Sequence, residues 1–246
     1  MKRRNFLFGA AAAAASLQAP FPVFAQKVDL HTLVSGVEAE IARLRSTGKA
    51  ISSKWVAGQL GETLTAQERR VAGFEVVQNV PYKLTSWTGD PDSLFNLGRG
   101  DCRHKANAMI RVLRAWKMEA RPIQVLFDWA SLPIPANILA NLAETRGIHD
   151  SVEVMIDGKY VLIDPTWDPA LAKVGFPVLA EWDGITPTLP IADDANVIIR
   201  QGDLKAGTNI YAYFGLKPER KRTIAFNRAF NAWTDEFRMA QNVARK

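Results

Sequence analysis

His149-Asp150-Ser151-Val152-Glu153-Val154-Met155-Ile156-Asp157-Gly158-Lys159-Tyr160-Val161-Leu162-Ile163-Asp164-Pro165-Thr166 reads as two strands joined by a two-residue turn. Val152, Val154 and Ile156 alternate with Ser151, Glu153 and Met155, the period of a strand. Asp157-Gly158 suits the tight hairpin turn whose central residues both take positive φ, and Tyr160 to Asp164 is the returning strand. Ile156 then pairs with Lys159, so Ser151 faces Asp164 and His149 faces Thr166. In that register His149 and Asp164 are diagonal neighbours on one face of the sheet, within reach of each other. A loop one residue longer or shorter would put them on opposite faces. Asp150 points to the other face, and Asp168 lies beyond Pro165.

Upstream, the chain's single cysteine, Cys102, follows Gly100-Asp101. Ala106, Met109, Ile110 and Leu113 recur at helical spacing, and Asp101 is a favoured N-cap, so Cys102 falls in the first turn. Unpaired N–H groups and the positive end of the helix dipole favour a thiolate there, the nucleophilic form of cysteine. Arg103 and Lys105 push the same way, and Asp101 opposes them unless its carboxylate is engaged in capping. His104 is a poor partner, because residues two apart on a helix point to different sides. A cysteine nucleophile needs an imidazole to take its proton, and the imidazole needs an acceptor that fixes its tautomer. Cys102, His149 and Asp164 are the candidates for those three roles. For an oxyanion hole the Cys102 N–H is one donor by geometry, and Asn96, six residues upstream, is a side-chain candidate. The competing reading of Cys102 is a small apolar residue filling a helix start.

The 246 residues, 48% apolar and 23% charged, have an ordinary globular balance, which excludes a disordered or fibrous chain. Residues 1–25 have a basic start at Lys2, Arg3 and Arg4, an apolar stretch from Phe6 through the alanines, and a small-residue end at Val23-Phe24-Ala25. They read as an export signal cleaved near Ala25, and Arg3-Arg4-Asn5-Phe6-Leu7 resembles the twin-arginine type; a general secretory signal is the alternative. Without the leader, 28 basic against 25 acidic residues leave +3, too little to argue for nucleic acid. No later apolar run reaches the roughly 18 residues of a membrane span. One cysteine cannot form an internal disulfide, and with three histidines it shows no metal-ligand spacing. No metal or other cofactor is expected.

Leu30, Leu33, Val34, Val37, Ile41 and Leu44 mark an amphipathic helix over 30–45. A second helix starts at Thr65 with a capping box to Glu68, turns Val71, Phe74 and Val77 inward and ends near Asn79. Between Val125 and His149 a long segment with Trp129, Pro133 and Pro135 suits a lid or cleft rim, or equally a packed insertion. Residues 171–215 read as extra strands, with Val197-Ile198-Ile199 a short apolar run, or as a wrapping loop. Phe226, Phe230, Trp233, Phe237 and Ala240 then mark an amphipathic helix whose aromatic stripe suits core packing.

Gly100-Asp101-Cys102, Leu113-Arg114-Ala115-Trp116, Glu119-Ala120-Arg121-Pro122, His149, Val152-Glu153-Val154, Asp157-Gly158-Lys159-Tyr160 and Asp164-Pro165-Thr166 together resemble the core of the transglutaminase-like superfamily. Asn79-Val80-Pro81-Tyr82 is similar to that family's upstream helix end and turn. The resemblance covers about residues 70–170. It implies an α+β, papain/transglutaminase-like fold in which a helix bearing the cysteine packs on an antiparallel sheet bearing histidine and aspartate. Here that core would carry helical additions at 26–80 and 171–246, all within one domain, 26–246. It also implies Cys102, His149 and Asp164 as a catalytic triad. The family's small residue and aromatic after the histidine are replaced by Asp150 and Ser151, so the wall beside the histidine is expected to be more polar.

The expectation is an exported cysteine enzyme, periplasmic or extracellular, that forms an acyl-enzyme on Cys102 from an amide or ester. The acyl group would pass to water or to an amine, with a peptide, a protein side-chain amide or a cell-wall peptide as substrate. The alternatives are a catalytically silent binding or scaffold module and acyl transfer to small arylamines. The absence of an Asp-rich loop of calcium-binding type predicts no calcium requirement.

Overall fold

The computed structural model describes residues 29–61, 63–195, 197–200 and 202–244; the leader and its cleavage point lie outside the described residues. Helix α1 (Leu30–Ser46) turns Val34, Val37 and Ile41 inward, as their spacing requires. The short α2 (Ser53–Gln59) follows. Helix α3 (Ala66–Gln78) starts with the anticipated capping box, in which Thr65 accepts from the Glu68 N–H and the Glu68 carboxylate accepts from the Thr65 N–H. It buries Phe74 and Val77 and leaves Val71 half-buried. After α4 (Ser93–Leu97), helix α5 (Cys102–Ala115) opens at the cysteine with Asp101 as its N-cap. Helices α2 and α4 have seven and five residues, too few turns for a hydrophobic period to register in the sequence.

Strand β1 (Ala120–Asp128), helix α6 (Ala136–Leu139), strands β2 (Arg146–Ile156) and β3 (Lys159–Ile163), strand β4 (Val197–Arg200) and helices α7 (Ile210–Tyr213) and α8 (Arg220–Ala244) complete the chain. The four strands form one antiparallel sheet in the order β3-β2-β1-β4. At the hairpin Asp157 has φ 47° and Gly158 φ 78°, both positive as the turn demands. Ile156 pairs with Lys159 and Val152 with Ile163, the register the turn predicts. Val197-Ile198-Ile199 forms a strand, pairing with β1 along the sheet's edge.

Helix α5 packs along β2 and β1, and Met109, Leu113, Val152, Val154 and Ile163 join residues of α1 to α4 in one apolar core. A second core gathers Tyr82, Phe127, Trp167, Phe176, Phe226 and Phe230. Burial of each such aromatic contributes roughly 1.5–3 kcal/mol. The stripe on α8 is thus core packing, and Leu132, Ile134 and Ile138 tie the 126–148 segment to the same cluster. This architecture is the α+β, papain/transglutaminase-like fold. Among the described residues no helix is long and apolar enough to cross a membrane.

Candidate active site

The start of α5 is built around close contacts that only glycine permits. A Cβ on Gly100 would lie 2.5 Å from the His104 Cβ and 2.8 Å from the Leu94 Cδ1. The Gly100 N–H donates to the Pro81 carbonyl and the Lys83 N–H to the Gly100 carbonyl, tying the chain after α3 to the residue before the cap. The Asp101 carboxylate accepts from the His104 N–H and bonds His104 Nδ1 at 2.6 Å, so it is engaged in capping. His104 is wholly buried there, with its ring edge-on to Trp87. It is not Cys102's partner.

That partner is His149. Its ring is buried, its Nε2 bonds the Asp164 Oδ2 at 2.6 Å, and the same imidazole is near enough to Cys102 to pull down the pKa of its thiol. With Nε2 taken by the carboxylate, Nδ1 is the nitrogen left for the sulfur. The hairpin therefore brings together two residues fifteen apart in sequence, and α5 adds the third.

Asp164 is itself held. Its backbone N–H donates to Thr188 Oγ1, and its Oδ1 accepts from the Thr166 N–H. Burial alone would raise its pKa; His149 and Thr166 outweigh burial and hold it below the usual carboxylate range. For His149 burial works downward, but the Asp164 carboxylate and the Cys102 thiolate overcome it, and the pKa rises to about 10. Burial pushes the Cys102 thiol up, His149 pulls it down, and Asp101 and Asp150 push it up again, for a net rise. The helix start alone had pointed the other way. Desolvation of the sulfur is the larger effect, so any thiolate here depends on the imidazolium beside it.

Two sequence readings need correction. Asn96 is not an oxyanion donor: its amide nitrogen donates to the carbonyls of Ile51 and Asp92, and its oxygen accepts from the Ile51 N–H. Sitting on α4, it braces the entry to α2. Lys105, expected with Arg103 to favour the thiolate, is not among the main charges acting on Cys102. It turns into the core, where its Nζ donates to the carbonyls of Gln78 and Pro165. Helical spacing carried that signal, because Lys105, Met109 and Val112 fall on one buried side of α5.

Half-buried Cys102 opens on a cleft of about 310 Å³. Tyr82, Trp87, Phe127 and Trp129 line it on the core side, and α7 and α8 bring Tyr211 and Phe226. The 126–148 segment supplies a rim through Trp129, Glu144 and Arg146. Asp150 also lines the cleft, bound by Arg103 and Gln124, so the wall beside the histidine is polar as expected. The aromatic and C-terminal members of this lining were not singled out in the sequence as site residues, because nothing local places them near Cys102.

A solved structure described as a candidate cysteine protease from Cytophaga hutchinsonii is similar at 17% identity and a TM-score of 0.34. The match covers 59% of this chain and 45% of that one, so this chain spans less than half its length. The comparison with curated proteins returned no match. Residues 49–165 match the family model of the transglutaminase-like superfamily, a span that starts ahead of α2 and ends just past Asp164, and there the chain carries a transglutaminase-like domain.

Proposed function

We propose that this protein is an exported cysteine enzyme that attacks amide carbonyls through Cys102. The sulfur adds to the carbonyl carbon while His149 holds the thiol's proton. The tetrahedral oxyanion forms beside the first-turn N–H of Cys102. His149 then passes that proton to the leaving amine, the C–N bond breaks, and a thioester remains on Cys102. Water or a second amine gives up a proton to His149 and releases the acyl group. Asp164 keeps the ring oriented and its charge compensated throughout. The observation that carries this reading is the buried His149–Asp164 pair, bonded at 2.6 Å, with Cys102 beside it on one open cleft.

The cleft's aromatic walls and small volume suit one extended peptide segment or a side-chain amide, which keeps peptides, proteins and cell-wall peptides as the substrate class. Export to the periplasm or the cell exterior rests on the leader read in the sequence. A limiting dose of iodoacetamide across pH, followed by intact mass, tests the chemistry. Alkylation of Cys102 slowed about tenfold or more by His149→Ala at the same pH is the expected result, because the imidazolium is what offsets the sulfur's desolvation. Uniformly slow alkylation of the folded wild type overturns the enzymatic reading and leaves a docking module.

A further inference from the structure

Lys105 lies one turn after Cys102 on α5, and its side chain is entirely buried. Its Nζ donates to the carbonyl of Gln78, the last residue of α3, at 2.9 Å, and to that of Pro165, the residue after Asp164, at 3.2 Å. The nucleophile's helix, the end of α3 and the loop bearing the orienting carboxylate thus converge on one amine. The charged groups facing it are Asp164 and Asp168 from that loop and Arg238 from α8; α3 contributes the neutral Gln78 carbonyl. Arg238 is itself bound to Asp168, which also accepts from the Tyr82 N–H.

An ammonium buried against two carbonyls is a poor device for stability, since an apolar side chain of similar length fills the space without the desolvation penalty. Burial also weakens its hold on the proton, bringing the pKa down to about 7. What the amine does supply is a directional grip. Asp164 hangs between two anchors, with its own N–H bonded to Thr188 on one side and the Pro165 carbonyl held by Lys105 on the other.

We propose that Lys105 is a positioning residue, whose amine fixes the Pro165 carbonyl and with it the Asp164 carboxylate that aims the His149 ring at the Cys102 sulfur. This rests on the reading of Cys102 as the nucleophile. The test is Lys105→Met in the full chain. The thermal midpoint should hold or rise, while alkylation of Cys102 by iodoacetamide at a fixed pH slows about tenfold or more, as a displaced catalytic contact requires. A lysine of purely structural importance would give the reverse, a lowered midpoint with alkylation of the folded protein unchanged, and that result overturns the proposal.

A second readout does not depend on thiol reactivity. The downfield NMR resonance of the His149 proton bonded to Asp164 should shift or broaden in Lys105→Met, and an unchanged resonance refutes the inference. If wild-type alkylation is slow at every pH yet this resonance moves, the enzymatic reading fails while the positioning role stands. Should the Met variant not fold, Lys105→Gln retains a donor for one carbonyl and is judged by the same two measurements.

Discussion

Replacing Asp164 with Asn keeps the side chain's shape and removes its charge, and the pH dependence of folding should register the loss. In the wild type His149 releases its proton at about 10 against an ordinary 6.5. Its contribution to stability is complete below 6.5 and is lost as pH rises to about 10. Lys105 has the opposite sign, with a folded value of about 7 against 10.5, so stability recovers as pH rises from about 7 towards 10.5. Each group alone changes the unfolding free energy by about 1.4 kcal/mol per pH unit. Between pH 7 and 9 the two slopes cancel, and the wild-type curve should be level. Without the Asp164 charge the largest effect opposing burial is gone, His149 falls back towards its ordinary value, and its downward slope leaves most of that window. Lys105 keeps its upward slope, since losing a neighbouring anion only lowers its pKa further. Asp164→Asn should therefore gain about 3 kcal/mol between pH 7 and pH 9. Urea unfolding followed by tryptophan fluorescence at three pH values measures this. A level or falling curve for the variant, or a steep wild-type curve in the same window, would refute the assignment of these two charges.

Two further substitutions separate scaffold from site. Asn96→Ala should lower stability by about 1–2 kcal/mol, because the Ile51 backbone loses its partners, yet leave Cys102 alkylation of the folded protein at the wild-type rate; a large fall in that rate would return Asn96 to the oxyanion role. Phe230→Ala empties a fully buried position ringed by Tyr82, Trp129 and Phe176 and should cost about 3–5 kcal/mol in urea unfolding, with a much smaller loss showing that α8 is not part of the core.

The approach of Cys102, His149 and Asp164 was legible because its geometry is local at each step. A two-residue turn sets a register, the register sets a diagonal pair, and a cap sets where a helix begins. Strand β1 was harder to read, since Pro122 inside it argues against a strand until its partner Val152 is known. Asn96 misled through closeness in sequence. Between it and Cys102, Gly98 takes φ 62° to end α4, and the amide is left beside Ile51. Lys105 was read only for the effect of its charge on Cys102, although its spacing from Met109 and Val112 puts it on the buried side of α5. The lining from α7 and α8 had no local signal at all, because those residues reach the cleft only through tertiary packing.

The aromatic cluster joining Phe226 and Phe230 to Tyr82 and Phe127 bears on the order in which the molecule is assembled. The hairpin and α5 lie well before α8, so synthesis delivers Cys102 and His149 long before the helix that walls one side of their cleft. Until α8 docks, Tyr82 and Phe127 lack the rings that cover them, and the pocket beside the sulfur stands open to bulk water. Completion of the cleft wall thus waits on α8, which is synthesised after the other elements that line it.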